Sequence, residues 1–398
     1  MPKLWVVSEF YWPVDNATGY IITRIVDELA KSGDVNVLTV GKYDETRSSS
    51  IKCHRVALKH RFNKNILGQR ILGQLVLSIK FFIALLKKIK RGDTILTVTN
   101  PALTLILINI IGLFKKVKII IIVHDLFPEN AIYADLLKEK SFTYKILFRL
   151  YKFIYSKSKL MIACGRDMER ALKHKVKDPD KVIFIPNFTN TTNIYPVPKQ
   201  DNPIIKNLHL EDKFVVIYTG NIGRMQGIEV ILEAARILKN DDIHFIFIGE
   251  GAKSEYLMNY LRQHNLLNVS KLPNMPKEKS LDFLNAGDVG IVSLKTNING
   301  SGVPSKTYSY MAAGKPIIAL LDESSEIAEM VNEYNLGWVI EPENFKRLAD
   351  VLKSIKDRRS ELDLMACNVR DTAIKFYSEE VILPRFSEAI LSSFRKHV

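Results

Sequence analysis

Apolar residues in the first part of the chain cluster into short continuous runs, separated by stretches in which apolar positions recur three and four apart. Residues 4–8, 35–40, 94–98, 118–123 and 160–163 are such runs, each of a length suited to a strand buried on both faces. After the Pro-, Asp- and Asn-containing loop 13–19, Ile21, Ile22, Ile25, Val26 and Leu29 line one face of a predicted helix. The pattern then restarts. A strand at 214–218 leads into the glycine-punctuated loop 220–227 and a helix at 228–238, whose apolar face holds Ile228, Ile231, Leu232, Ala235 and Leu238. Runs at 245–248, 289–292, 317–320 and 338–340 continue the series. Alternating strand and helix predicts an α/β fold of two doubly wound halves, each a parallel sheet with helices on both faces.

The expected organisation is a first domain at 1–185, a linker at 186–212 and a second domain at 213–375, with a helix at 376–398 packing back on the first domain. A chain of 398 residues exceeds what one hydrophobic core organises, which agrees with two domains. Its 47% hydrophobic and 25% charged residues exclude a disordered chain. Cys53, Cys164 and Cys367 lie far apart without CxxC spacing, so no zinc site or disulfide framework is expected. No secretory signal pattern opens the sequence, and the longest apolar run, 102–114, falls short of a membrane span, so a cytoplasmic location is expected.

Charge changes this picture. Residues 1–180 carry 31 Lys and Arg against 16 Asp and Glu, a net of +15, whereas residues 181–398 carry 26 against 27, a net of −1. A polyanionic partner for the first half follows, either an anionic membrane surface or nucleic acid. Residues 71–91 mix Leu, Ile and Phe with Lys80, Lys87, Lys88, Lys90 and Arg91; residues 144–159 interleave aromatic residues with five Lys or Arg. Both suit a bilayer interface, and both equally suit an amphipathic helix packed on a sheet.

In doubly wound domains, ligands bind beyond the carboxyl ends of the strands, where loops and helix N-termini present free N–H groups. Four loops hold such positions: Asn16-Ala17-Thr18-Gly19, His124-Asp125-Leu126-Phe127-Pro128-Glu129, Gly220 with the residues up to Gly227, and Asn299-Gly300-Ser301-Gly302-Val303-Pro304-Ser305-Lys306. Glycine lets the backbone approach an anion, while Arg224 and Lys306 offer charge-assisted bonds to a diphosphate. The conjunction predicts a phosphate-binding cleft between two domains.

The chain resembles family-4 glycosyltransferases, in particular a bacterial surface-polysaccharide branch that includes N-acetylfucosamine and amino-sugar transferases. The resemblance is carried by Tyr11-Trp12-Pro13 with Gly19, the His124 to Glu129 hexapeptide, Pro186-Asn187, Gly220-Asn221-Ile222-Gly223-Arg224 with Gln226-Gly227, Gly249-Glu250-Gly251, Ala286-Gly287-Asp288-Val289, and Pro304-Ser305-Lys306 running to Met311-Ala312-Ala313-Gly314-Lys315-Pro316. It implies two Rossmann-like domains facing across a cleft (GT-B). It also implies retaining transfer from a nucleotide sugar, with the donor held mainly by the second domain and the acceptor by the first. On that reading His124 lies near the donor sugar, Arg224 and Lys306 neutralise the leaving diphosphate, and Gly302 and Val303 present backbone contacts. Glu250, Pro273 and Met275 lie near the nucleoside; Gly19, Asn221, Gln226, Gly249 and Ser305 complete the donor set. Preorganised cations and helix N-termini stabilise the leaving group, so no cofactor or metal is required.

Two departures stand out. Family members carry two glutamates with seven residues between them where this chain has Ser301 and Ser309, and Arg and Lys where it has Asn221 and Gln226. Ser309 retains the capacity to hydrogen-bond a ribose hydroxyl. Asp178-Pro179-Asp180 matches a metal-binding DxD pattern of another transferase fold, but its Lys-rich surroundings, just before a further apolar strand expected at 182–185, read as a surface turn.

The expected function is transfer of an N-acetylated or 6-deoxy amino sugar from a UDP-sugar to a polyprenyl-diphosphate-linked glycan, in O-antigen or capsule synthesis. The expected place is the inner face of the cytoplasmic membrane, as a peripheral protein on an anionic surface, with no nucleic acid partner. The alternatives are a nucleotide-sugar 2-epimerase, a soluble-acceptor transferase, and a non-catalytic basic protein that binds membrane or nucleic acid.

Overall fold

The computed structural model describes all residues except 1, 14–15, 42–47, 59–66, 134–135, 299, 301 and 396–398. The chain divides into two compact units. Met1–Pro186, Gly300–Gly302 and Ile382–Val398 form the first; Asn187–Asn299 and Val303–Val381 form the second.

The first unit runs β1 (Leu4–Val7), α1 (Ala17–Ala30), β2 (Val35–Val40), β3 (Ile51–Val56), α2 (Leu67–Lys88), β4 (Thr94–Val98), α3 (Ala102–Lys115) and β5 (Lys118–Val123), then α4 (Glu129–Tyr133), α5 (Phe142–Lys157), β6 (Leu160–Ala163), α6 (Arg166–Lys175) and β7 (Val182–Phe184). Its seven strands pair in parallel in the order β3-β2-β1-β4-β5-β6-β7. The central strands are continuous apolar runs because both faces are covered: all residues of β1, β4 and β6 are buried. On one face Trp5, Val7, Ile95, Ile119 and Ile121 pack against Leu77 and Phe81 of α2, Leu105 and Ile108 of α3, and Tyr151 and Tyr155 of α5. Burying each such side chain contributes about 1.5–3 kcal/mol.

The second unit runs α7 (Pro203–Leu208), β8 (Phe214–Thr219), α8 (Ile228–Ile237), β9 (Ile243–Ile248), α9 (Ser254–His264), β10 (Val269–Leu272), α10 (Ser280–Leu284) and β11 (Val289–Ser293). It continues through α11 (Lys306–Ala312), β12 (Ile317–Leu320), α12 (Glu326–Tyr334), β13 (Gly337–Ile340), α13 (Phe345–Lys356) and α14 (Arg359–Tyr377). Six parallel strands lie in the order β10-β9-β8-β11-β12-β13. The last helix, α15 (Glu379–Arg395), starts in the second unit and ends in the first, where Lys118 Nζ donates to the carbonyl of Phe394 at 3.1 Å.

Two Rossmann-like domains are therefore present, as the apolar pattern predicts. Two strands escape that pattern, β3 and β10, and each lies at a sheet edge. Only the first residue of each is buried, so neither forms an apolar run.

The segment expected as a linker at 186–212 differs from expectation: from Asn187 onward it is woven into the second unit. The Arg370 guanidinium on α14 donates to the carbonyls of Thr191 and Ile194 at 2.6 and 2.7 Å, and Lys199 pairs with Asp288 at 2.7 Å. Apolar periodicity is weak there because side-chain-to-backbone bonds hold the segment. At the DxD match, Asp178 accepts from its neighbour's N–H, Asp180 N, at 3.3 Å and opens a short 3₁₀ turn, Pro179–Lys181.

Candidate functional site

In each sheet the strand order reverses direction once, between β1 and β4 in the first unit and between β8 and β11 in the second. Loops leaving the carboxyl ends on either side of such a point diverge and open a crevice. The sequence-predicted residues lie beyond the carboxyl ends of the strands, in the segments that follow β1 and β5 in the first unit and β8, β9, β10 and β11 in the second.

In the second unit, the loop after β8 and the loop after β9 extend their strands' pairing. Gly220 N donates to Ile248 O at 2.8 Å and Ile222 N to Glu250 O at 3.0 Å. This close approach requires glycine at 249: its φ is +144°, and a Cβ there would stand 1.9 Å from the Gly220 carbonyl oxygen. Asn221 and Gln226 converge over Gly223, with Asn221 Nδ2 and Gln226 Oε1 lying 2.6 and 2.4 Å from where a Cβ would be. Gln226 Oε1 is buried without a hydrogen-bond partner. Arg224 is exposed and forms no ion pair with any described residue.

Lys306, the first residue of α11, turns its side chain under this loop. Its Nζ lies 3.5 Å from the centroid of the Tyr218 ring and has no hydrogen-bond partner. Desolvation pulls its pKa from 10.5 to about 7. The π face of Tyr218 compensates part of the lost hydration, and the remainder favours any anion that reaches the ammonium. Tyr218 is held in turn: its hydroxyl donates to Asn221 O at 2.7 Å.

A second tyrosine ties α11 to the strand. The Tyr310 hydroxyl accepts from Thr219 N at 2.8 Å and lies 3.0 Å from Thr219 Oγ1, at the last residue before Gly220. Its ring occupies space left by Gly290 on β11, where a Cβ would lie 2.5 Å from the ring carbons. Tyr218 and Tyr310 escape a reading by periodicity because each resembles one more buried aromatic residue of a strand or helix.

The remaining donor-set residues lie at the same end of the sheet. Ser305 precedes α11 without using its side chain as a cap, and Ser309 is half-buried one turn further on. Val303 packs its side chain against the core beneath. Glu250 is exposed and paired with Lys271 of β10, which holds its carboxyl below the usual range. Pro273 is exposed and Met275 half-buried in the loop after β10. Ser301 lies outside the described residues.

In the first unit, Gly19 sits in the first turn of α1, and its N–H is taken by the N-cap side chain Asn16 Oδ1 at 2.7 Å. His124 follows the last residue of β5. The Thr99 hydroxyl accepts from both His124 N, at 3.2 Å, and Asp125 N, at 3.1 Å, which fixes the turn. His124 Nε2 is enclosed without a partner, and desolvation lowers the imidazole pKa from 6.5 to about 4. The ring is thus neutral at neutral pH. Gly302, grouped with this unit, lies close enough to His124 and Asp125 that a Cβ would sit 3.5 Å from Asp125 Oδ1. Its neighbour Gly300 donates its N–H to Asp167 Oδ2 at 2.9 Å.

The first unit thus offers a neutral, enclosed imidazole, and the second an unpaired buried ammonium at a helix start beside a glycine-lined loop. The ammonium and the glycine-lined loop of the second unit suit an anion. Residues 19–193 match Glycosyltransferase Family 4, and residues 200–371 match Glycosyl transferases group 1. The chain belongs to this family of glycosyltransferases, and its two Rossmann-like domains are of the GT-B type. It is 35% identical to the probable glycosyltransferase WbjE of Pseudomonas aeruginosa, over 98% of either chain. Over 46% of its length it is 27% identical to 45% of WcaI of Escherichia coli strain K12, named a putative colanic acid biosynthesis glycosyl transferase. The fold is shared with Anabaena HepE, solved in complex with UDP-glucose, at a TM-score of 0.75, 14% identity and coverage of 98% of this chain and 99% of that one.

Proposed function

We propose that the chain transfers an N-acetylated or 6-deoxy amino sugar, with retention, from a UDP-linked donor to a polyprenyl-diphosphate-linked glycan during O-antigen or capsule assembly at an anionic membrane surface. The observation that carries the donor side is the Lys306 ammonium, buried, unpaired and stacked on Tyr218 beside the Gly220 loop. Breaking the bond between the sugar and the diphosphate leaves new negative charge on the diphosphate. In this reading Lys306 and Arg224 meet that charge, and Lys306, already desolvated, needs no reorganisation to stabilise it. His124, neutral and with Nε2 uncommitted, accepts or donates one hydrogen bond to a sugar hydroxyl without competing for the phosphate. Asn221, Gln226 and Ser305 supply uncharged contacts to phosphate oxygens. Ser309 contacts ribose as a hydroxyl in place of a carboxylate, and Glu250, Pro273 and Met275 border the base. UDP-glucose in HepE and the colanic acid name of WcaI support a UDP donor and a polysaccharide product.

A thermal-shift series with nucleotides and UDP-sugars tests the reading, because a ligand bound only by the folded protein raises its unfolding temperature. UDP and a UDP-amino sugar are expected to raise the midpoint in the wild type and not in Lys306→Ala. Turnover assayed with and without a polyprenyl-diphosphate glycan, followed by the anomeric configuration of the product, then separates transfer from 2-epimerisation. If no nucleotide shifts the midpoint, the reading fails.

A further inference from the structure

Helices α2, α3 and α5 lie side by side on one face of the first unit's sheet, α2 against α3 and α3 against α5. Their inner faces are accounted for by the core. Their outer faces are not. On α2, Ile71, Leu72, Leu75, Ile79, Ile83 and Leu86 are 38–56% exposed. At 3.6 residues per turn they fall within an arc of about 120°. This arc adjoins the buried one, formed by Leu77, Phe81 and Leu85. At the end of α3, Leu113 is 56% and Phe114 81% exposed; on α5, Phe142 is 78% and Phe153 46% exposed. Apolar side chains exposed in this number on neighbouring helices mark an interaction site.

Charge selects the partner. None of the three helices contains an Asp or Glu. Lys87 and Lys88 at the end of α2, and Lys145, Arg149 and Lys152 on α5, are exposed and pair with no described carboxylate. On α5, Arg149 shares the outward stripe with Phe142, Ile146 and Phe153, while Lys145 and Lys152 flank it. An apolar stripe on helices whose only charges are cationic is complementary to lipid tails beneath anionic headgroups. None of these helices is long and apolar enough to cross a bilayer.

We infer that the outer faces of α2, α3 and α5 form one docking face for an anionic lipid bilayer, with the α2 stripe and Phe114 entering the interface and the basic side chains engaging headgroups. This deepens the proposed transfer to a lipid-linked acceptor and rests on that reading for its purpose, though its test does not. The outward residues can be made polar without touching the core, so the variants fold.

Flotation of the full chain with phosphatidylcholine vesicles, alone or mixed with phosphatidylglycerol, is the test. Wild type is expected to float with the mixed vesicles and far less with the neutral ones, with binding weakened by salt. The triple change Ile79→Ser, Ile83→Ser, Phe114→Ser and the triple change Lys145→Gln, Arg149→Gln, Lys152→Gln are each expected to reduce binding by roughly tenfold or more. Both should keep the wild-type thermal shift with UDP. Phe114→Trp should show a blue-shifted emission on mixed vesicles. The inference is overturned by equal flotation with both vesicle types, by wild-type flotation of both triple variants, or by a dimer that the Ser variant abolishes. A protein that shifts with UDP but does not float loses this inference and keeps the transferase reading; one that floats without any nucleotide shift does the reverse.

Discussion

In the first unit, α2, α3 and α5 carry only basic charge and turn aliphatic and aromatic side chains outward. In the second, the outer helices are laced with opposite charges: Lys253 pairs with Glu229, Arg236 with Glu233 and Lys353 with Asp241. The second unit also holds a charge inside without a counter-ion, at Lys306. Both units have the same parallel topology with one reversal of strand order. A doubly wound sheet thus determines where loops converge, while the choice of side chains decides whether uncompensated charge sits outside, where it attracts a surface, or inside, where it awaits one ligand.

The most severe test of the second unit is Gly249→Ala. A Cβ would meet the Gly220 carbonyl oxygen at 1.9 Å, and the φ of +144° is unsuited to an L side chain. Loss of about 3 kcal/mol or more from that unit is expected, together with loss of the UDP shift; calorimetry reads both. Vesicle flotation, a property of the first unit, is expected to survive.

Lys306→Ala comes next. Turnover should fall at least about tenfold, equivalent to about 1.4 kcal/mol in the barrier, and His124→Ala should do the same. Lys306→Met sharpens the contrast, because removing a buried, unpaired ammonium is expected to raise the melting temperature while activity is lost. A Met variant that melts lower than wild type would mean that the ammonium is compensated in the free protein.

Tyr310→Phe keeps the ring in its slot beside Gly290 and leaves the Thr219 N–H and hydroxyl without their partner. A cost of about 1–3 kcal/mol is expected, with weaker nucleotide binding than in wild type. Unchanged binding in a fully folded variant would show that the tyrosine hydroxyl does not position the loop.

The smallest effects are in pH. With Lys306 held at about 7, most of it is neutral above pH 7 in the free protein. A bound diphosphate favours the ammonium, so binding takes up a proton and affinity falls as pH rises above 7. Titration calorimetry in buffers of different ionisation enthalpy measures that uptake, which Lys306→Met should abolish. At the acid side, burial lowers His124 and His244 from 6.5 to about 4. Between those values the unfolded imidazoles take up protons that the folded ones refuse. Stability is therefore expected to fall as pH drops from about 6.5 to about 4, less steeply in His244→Gln.

Much of the site is legible in the amino-acid sequence. The glycine loop at 220–227, Lys306 at a helix start and His124 at a strand end all follow from short local patterns, and each lies at the carboxyl end of a strand. Their supports are not legible there. Tyr218 beneath Lys306, Tyr310 on Thr219 and Lys271 on Glu250 join residues distant in sequence, and none has a local signature. The 186–212 segment departs from a linker for the same reason, since its order comes from Arg370 and Asp288 far along the chain.

By itself, the sequence determined the two doubly wound halves, their central strands, the glycosyltransferase family and the basic character of the first half. Strands buried on both faces must be continuous apolar runs, and phosphate-binding turns must place glycines and cations at set spacings, so both are written locally. Tertiary structure alone decided where the edge strands β3 and β10 pair and that Lys306 is desolvated rather than solvated. It alone decided that the apolar stripe of α2 faces outward beside α3 and α5. Those outcomes depend on what the rest of the chain places against a residue, and burial sets the free energy of a charge or an aliphatic side chain only once those neighbours are in position.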